Sequence, residues 1–367
     1  MLTEKDRTFG RYITRLIQKE NLTREETRDA VSTIIDQETT EIQEGAFLAA
    51  LASKGESVDE IAGCFEAIYH RDTVHVDGQA LAPLVENCGT GMDAFKTFNI
   101  STAASILAAA GGIRMARHGA RAITSSCGTV DLAEALGVDV MCSAALVFES
   151  IKQSNIGLFN GMSHEVHPHA LGRILSRMAF GSTLNIAASL ANPALPPFGV
   201  RGVSSKEMIG PALHVMKAIG YRRALVLYGA VDGSEKGMDE ASVSGTTYIA
   251  ELKENGAIES FSIRPADVGL QLENPHELRP SPSIPEEARR FTALIQGGSN
   301  GARRAAALLN AGLIYYVAGR SHDIGSGVQM AARRIDDGRA YQTLEAWVAA
   351  QNRTPEKGLA TLRRLAR

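Results

Sequence analysis

The apolar positions along the chain follow two different rhythms. From residue 4 to about 70 they recur at helical spacing, as in FGRYITRLIQKE, EIQEGAFLAALASKG and SVDEIAGCFEAIYHR. Thr23 followed by Glu25 and Glu26, and the Thr40 region, read as helix starts. Four helices are predicted here, with no strand alternation, forming a helical domain over 1–72. From about residue 80 short apolar segments alternate with helical ones. Strands are predicted at 83–87, 112–117, 155–160, 200–204, 223–229 and 258–263, and helices at 101–112, 129–137, 143–153 and 205–220. That alternation predicts an α/β domain over 80–367, a mainly parallel sheet with helices on both faces. Residues 166–195 break the rhythm. They are helical, apolar and end in a proline-rich turn, so they are expected to pack back onto the N-terminal helices. The tail 285–350 is helical again, most clearly at 301–319.

Composition narrows the class. The 367 residues are 44% hydrophobic and 22% charged, the balance of a globular enzyme, and long enough for two domains. The net charge is −3, and the short basic end TLRRLAR reads as a solvated helix terminus, which disfavours nucleic acid as the main partner. Cys64, Cys88, Cys127 and Cys142 form no CxxC pair and are expected to be free thiols in a reducing compartment. The first residues carry no signal-peptide core, and no apolar run reaches membrane-span length, so a cytoplasmic location is expected.

Three loops carry candidate chemistry. Gly89-Thr90-Gly91 follows the first strand, and Asn99-Ile100-Ser101-Thr102 opens a helix. Glycines let a ligand approach the backbone, and a helix start presents free N–H groups that favour phosphate. Ser101 could equally do no more than cap its helix. The second loop, 124-TSSCGT-129, follows a strand ending in Arg117-His118-Gly119 and suits an anion, though a serine-rich surface turn would look the same. The third, 228–242, holds the adjacent acids Asp239 and Glu240. Such pairs are usually only solvated, but beside a polyphosphate they supply the hard oxygen ligands that Mg²⁺ takes. No Ser-His-Asp or Cys-His arrangement is evident.

Together GTGMD (89–93), NIST (99–102), RHGAR (117–121), TSSCGTVD (124–131) and the Asp239-Glu240 pair resemble the anthranilate phosphoribosyltransferase family, whose pattern is GTGGD, NIST, KHGNR, SSxSGSxD and DE in the same order. The resemblance extends over nearly the whole chain. It implies the nucleoside-phosphorylase-like fold, 5-phosphoribosyl 1-diphosphate as donor, an aromatic amine (anthranilate, in tryptophan biosynthesis) as acceptor, Mg²⁺ as cofactor and a homodimer joined through the helical domain. By the same resemblance Gly89, Thr90, Gly91, Asp93, Asn99, Ser101, Thr102, Arg117, Gly119, Ser125 and Thr129 surround the diphosphate sugar. Ser101, Asp239 and Glu240 hold the metal. His118, Ala120, His164, Arg173 and Arg177 lie on the acceptor side.

The departures from the family pattern gather on that acceptor side. The asparagine of KHGNR is Ala120, and the Ala-Pro pair before the aligned His164 is Asn160-Gly161. Counting from His164 without gaps, the family's carboxylate-pairing arginine falls on Ile174, with Arg173 beside it and Arg177 one turn on. The motif RTxFNxLGPLxNP has become 181-GSTLNIAASLANP-193. On the donor side the change is milder: lysine becomes Arg117, and the second glycine of GTGGD becomes Met92. A forked guanidinium is the usual holder of a carboxylate, so a different nitrogen acceptor is an open alternative to anthranilate. A nucleoside phosphorylase, with less use for the Asp239-Glu240 pair, and a non-catalytic nucleic-acid-binding relative are remoter readings.

Overall fold

The computed structural model describes residues 3–91, 94–122, 127–178, 182–298 and 300–366. Four helices come first: α1 (Glu4–Ile17), α2 (Arg24–Ile35), α3 (Glu41–Lys54) and α4 (Val58–Asp72). Their starts are set locally. Thr3, Thr23 and Ser57 close capping boxes with Asp6, Glu26 and Glu60, and the Thr40 hydroxyl accepts from the Gln43 amide. Each satisfies amides that the first turn leaves without partners.

The sheet holds β1 (Leu84–Cys88), β2 (Arg114–Gly119), β3 (Ile156–Asn160), β4 (Phe198–Gly202), β5 (Arg223–Ala230), β6 (Gly237–Met238), β7 (Thr247–Leu252) and β8 (Ile258–Ile263). Its order is β3-β2-β1-β4-β5-β7-β8, with β6 on β5. The first five strands pair in parallel; β6, β7 and β8 add antiparallel partners. The chain runs from β1 outward to β2 and β3, then returns to the other side of β1 for β4. The carboxyl ends of β1 and β4 therefore form the crevice where ligands of open α/β sheets bind.

The hydrophobic pattern does not predict β7. Its run TYIAEL contains Glu251, which is buried because Arg223 and the Tyr316 hydroxyl hold its carboxylate at 2.8 and 3.0 Å. The predicted fourth strand also begins earlier, at Phe198, and the helix expected from 205 begins at Ile209 after a 3₁₀ turn.

Between strands lie α5 (Ile100–Ala110), α6 (Thr129–Leu136), α7 (Ala144–Ser154), α8 (Leu171–Arg177), α9 (Thr183–Leu190) and α10 (Ile209–Ala218). After them come α11 (Ile284–Ile295), α12 (Ala302–Val317), α13 (Ile324–Asp336), α14 (Arg339–Ala350) and α15 (Pro355–Leu365). Two main apolar clusters cover the sheet. One packs α5, α6 and α11–α15 on one face; the other joins α1–α4 with α8, α9 and α10 on the opposite face. Asp72, at the end of α4, accepts from the amides of His169, Ala170 and Leu171 at 2.6, 3.0 and 2.6 Å. That carboxylate caps α8 and fastens the 166–195 segment to the helical bundle.

Candidate active site

At the carboxyl end of β1 the loop Gly89-Thr90-Gly91 meets Asp239. The Asp239 carboxylate accepts from the Gly91 amide at 2.6 Å and from the Thr90 hydroxyl at 3.1 Å. A Cβ on Gly89 would stand 2.5 Å from Asp239 Oδ2, and one on Gly202 would stand 1.5 Å from the Asp239 carbonyl oxygen. Two glycines, one just past β1 and one at the end of the neighbouring β4, are thus needed for Asp239 to reach the loop. Asn310 of α12 fixes the residue two further on, accepting from the Ala241 amide at 2.9 Å and donating to its carbonyl at 3.1 Å. Asp239 and Glu240 are both nearly buried.

Ser101 does not cap α5. Asn99 holds the cap position without a side-chain bond to the helix, and its side-chain amide donates instead to the Cys127 carbonyl at 3.2 Å, tying this loop to the second one. The first turn of α5 is therefore uncapped by any side chain, and its positive end faces the crevice. Thr129 opens α6, with its methyl 3.2 Å from where a Cβ on Gly119 would lie. Met92, Asp93, Thr124, Ser125, Ser126 and Gly181 lie outside the described residues.

Arg117 and His118 are consecutive on β2 and point to opposite faces. Arg117, fully buried, turns towards α5, donating to Thr102 Oγ1 at 2.6 Å and Ser101 Oγ at 3.0 Å. Its Nε has no hydrogen-bond partner among the described residues. Burial lowers its pKa to about 10, leaving it charged at neutral pH. The guanidinium thus grips the two hydroxyls at the start of α5.

His118 turns towards the helical domain. Its Nε2 lies 3.4 Å from Nε2 of His167, whose Nδ1 sits 2.6 Å from the Asp72 carbonyl. That carbonyl can only accept, so the His167 proton is on Nδ1. His118 Nδ1 makes no hydrogen bond of good geometry among the described residues, and the Ser189 backbone lies beside the ring. Burial, then the neighbouring imidazole, pushes the His118 pKa down to about 3, so the ring is neutral in ordinary buffers.

The acceptor-side candidates do not all meet at this crevice. His164 is exposed at the surface, and His167, three residues on, takes the place beside His118. Gly161 makes room for this pair: a Cβ there would lie 2.7 Å from His118 Nε2. Arg173 and Arg177 face α3 and are taken up by carboxylates, Arg173 with Glu44 at 3.4 Å and Arg177 with Glu41 at 3.0 Å. Helical geometry explains this: Leu171 and Ile174 bury the inner face of α8, which leaves 173 and 177 on another face. Ala120 contributes backbone, its carbonyl accepting from the Val130 amide at 3.3 Å.

Sequence reasoning missed His167, Asn310 and Arg201. Only Arg201 left a clear signal, a lone cation inside the apolar strand VRGVS. One cleft adjoins this arrangement and another lies away from it. One of about 630 Å³, lined by Lys96, Lys236, His276 and Arg279, opens beside the glycine loop, where Lys96 Nζ donates to the Gly91 carbonyl at 3.0 Å. Another of about 350 Å³ lies before the amino ends of β4 and β5, at the far end of the sheet from the loops just described. No described helix is long and apolar enough to cross a membrane.

Comparison with known proteins identifies the family. Residues 81–341 match the α/β domain of a glycosyl transferase family, and residues 11–71 match its helical bundle domain. An anthranilate phosphoribosyltransferase from Anaeromyxobacter dehalogenans is 37% identical, over 92% of this chain and 97% of its own. One from Methanothermobacter thermautotrophicus is 33% identical, over 93% and 97%. Among solved structures, the anthranilate phosphoribosyltransferase of Thermus thermophilus superposes with a TM-score of 0.81 at 29% identity, covering 93% of this chain and 99% of that one. The Saccharomyces cerevisiae enzyme in complex with PRPP and Mg shares the fold, with a TM-score of 0.82 at 22% identity over 95% and 98%. The two-domain frame is that of the glycosyl transferase family, and the chain belongs to the anthranilate phosphoribosyltransferase family.

Proposed function

We propose that the protein transfers the phosphoribosyl group from 5-phosphoribosyl 1-diphosphate to the amine of anthranilate, releasing diphosphate, in a Mg²⁺-dependent reaction of tryptophan biosynthesis. The observation that carries this reading is the meeting of the Gly89–Gly91 loop, the uncapped start of α5 and the Asp239 carboxylate at the switch point of the sheet. Displacement at the anomeric carbon needs no protein nucleophile. The site has to hold a polyanion, stabilise it as it departs and aim the amine.

The described residues contain no cluster of three His, Cys, Asp or Glu side chains that could hold a metal ion. Mg²⁺ is usually bound by one or two carboxylates alongside substrate phosphates. Asp239 and Glu240 would supply the carboxylates, with Ser101 assisting. Bound Mg²⁺ neutralises charge on the leaving diphosphate. The loop amides and the α5 amides hold the phosphates. Arg117 keeps the Ser101 and Thr102 hydroxyls in place and sets a positive charge beneath them. Asp93, Gly119, Ser125 and Thr129 complete this half. His118, His167 and Ala120 border the acceptor. A cytoplasmic homodimer joined through the helical domain is part of the proposal. The exposed Ile17 and Ile42 on α1 and α3 support it.

The test is diphosphate release with anthranilate across a Mg²⁺ titration. Asp239→Asn with Glu240→Gln should abolish Mg²⁺-dependent turnover while leaving the thermal melt in place. Unchanged turnover in the double variant would refute the metal assignment.

A further inference from the structure

Arg201 lies near the carboxyl end of β4, 5% exposed. Its Nη2 donates to Ser189 Oγ and its Nη1 approaches Cys88 Sγ at 4.0 Å. No carboxylate lies within ion-pair distance of it among the described residues. The nearby acid, Glu86, is occupied by Asn192 at 3.0 Å and by the Tyr221 hydroxyl at 2.6 Å. A buried guanidinium without a counter-ion is costly, and a fold keeps one where an anion is to be met.

The register places it. Arg201 pairs with Cys88 across β4 and β1, and Val85 pairs with Met115 across β1 and β2. Continued along the strands, the second pairing sets Cys88 level with His118. His118, Cys88 and Arg201 thus lie side by side on three adjacent strands and face the same side of the sheet. Two strand spacings of about 4.8 Å put the His118 and Arg201 backbones roughly 10 Å apart, with Cys88 on the strand between them. Ser189 bridges them, its hydroxyl on Arg201 and its backbone beside the His118 ring. Ser189 also stands where the family motif has proline, which has no such hydroxyl. The arginines that the family resemblance suggests for this role, Arg173 and Arg177, are bound to Glu44 and Glu41.

We propose that Arg201 is the specificity-determining residue of the acceptor site, pairing with the carboxylate of an aromatic amino-acid-type acceptor. This rests on the proposed function for the amine transfer, but not for the carboxylate contact. The guanidinium fork suits a planar carboxylate; Ser189 holds Nη2, and only the weak sulfur contact of Cys88 has to yield at Nη1.

The test is calorimetric titration of benzoate and benzamide into the full chain with Mg²⁺ and 5-phosphoribosyl 1-diphosphate present; neither ligand has an aromatic amine to react. Benzoate should bind more tightly than benzamide. Arg201→Gln should weaken benzoate on the order of 10- to 100-fold and leave benzamide within about threefold, with Arg201→Lys in between. Benzoate affinity unchanged in Arg201→Gln, or no preference for benzoate in the unaltered protein, overturns the inference. If Arg201→Gln does not fold, Arg201→Lys and the benzoate–benzamide preference decide. Arg201-dependent benzoate binding without anthranilate turnover would sink the proposed function and leave this inference standing.

Discussion

Gly89→Ala isolates the contact on which the donor half depends. The new methyl would lie 2.5 Å from Asp239 Oδ2 and 2.7 Å from its Cγ, well inside the ~3.5–4.0 Å of ordinary contact. Asp239 has little room to retreat. Its backbone carbonyl already lies where a Cβ on Gly202 would be, and Asn310 pins Ala241 just beyond. The carboxylate must therefore swing off the Gly91 amide and the Thr90 hydroxyl. Losing hydrogen bonds to a charged group costs about 1.5–3 kcal/mol, and about 1.4 kcal/mol is tenfold in rate. The expected result is a fall in kcat/KM for the diphosphate sugar on the order of 10- to 100-fold, with a raised Mg²⁺ requirement. The assay is continuous diphosphate release at fixed anthranilate, with a thermal melt to show that the fold survives. If KM for the diphosphate sugar and the Mg²⁺ dependence both stay within about twofold, the placement of Asp239 on the loop is irrelevant to function.

Two further outcomes follow from other contacts. Asn310→Ala removes both bonds to Ala241 and leaves buried backbone groups without partners, which should cost roughly 1–3 kcal/mol of stability by denaturant titration and weaken Mg²⁺-dependent turnover; unchanged stability would contradict it. His118 takes up a proton less readily in the folded chain than in the unfolded one. Stability should thus fall as pH drops below about 6.5 towards 3, with a slope of up to about 1.4 kcal/mol per pH unit from this group; His118→Gln should flatten that acid limb in melts recorded between pH 7 and 4, and an identical limb would rule the burial out as its cause.

The sequence exposes the parts whose structure is local. The capped starts at Thr23 and Thr40, the strand ending at Cys88 and the glycine loop after it all follow from neighbouring residues. What stays hidden depends on partners far along the chain. β7 carries Glu251, which reads as a strand breaker until Arg223 and Tyr316 are beside it. His164 looks right by spacing, but the turn through Ser163 to Val166 carries it to the surface and brings His167 inward. Arg173 and Arg177 look available because Glu41 and Glu44 lie on a helix more than a hundred residues away. Arg201 is visibly odd within an apolar strand, but its neighbours Ser189 and Cys88 come from two other segments.

The opposed side chains of Arg117 and His118 have a consequence for how such a protein can change. One residue faces α5 and the donor hydroxyls; the next faces His167 and the acceptor side. Because strand side chains alternate, selection can rewrite one substrate's half of the crevice at every second position without disturbing the other half. New acceptor preferences can then arise by small steps on a donor cradle that stays intact, with Gly161 and Ser189 marking where this chain departs from the family pattern.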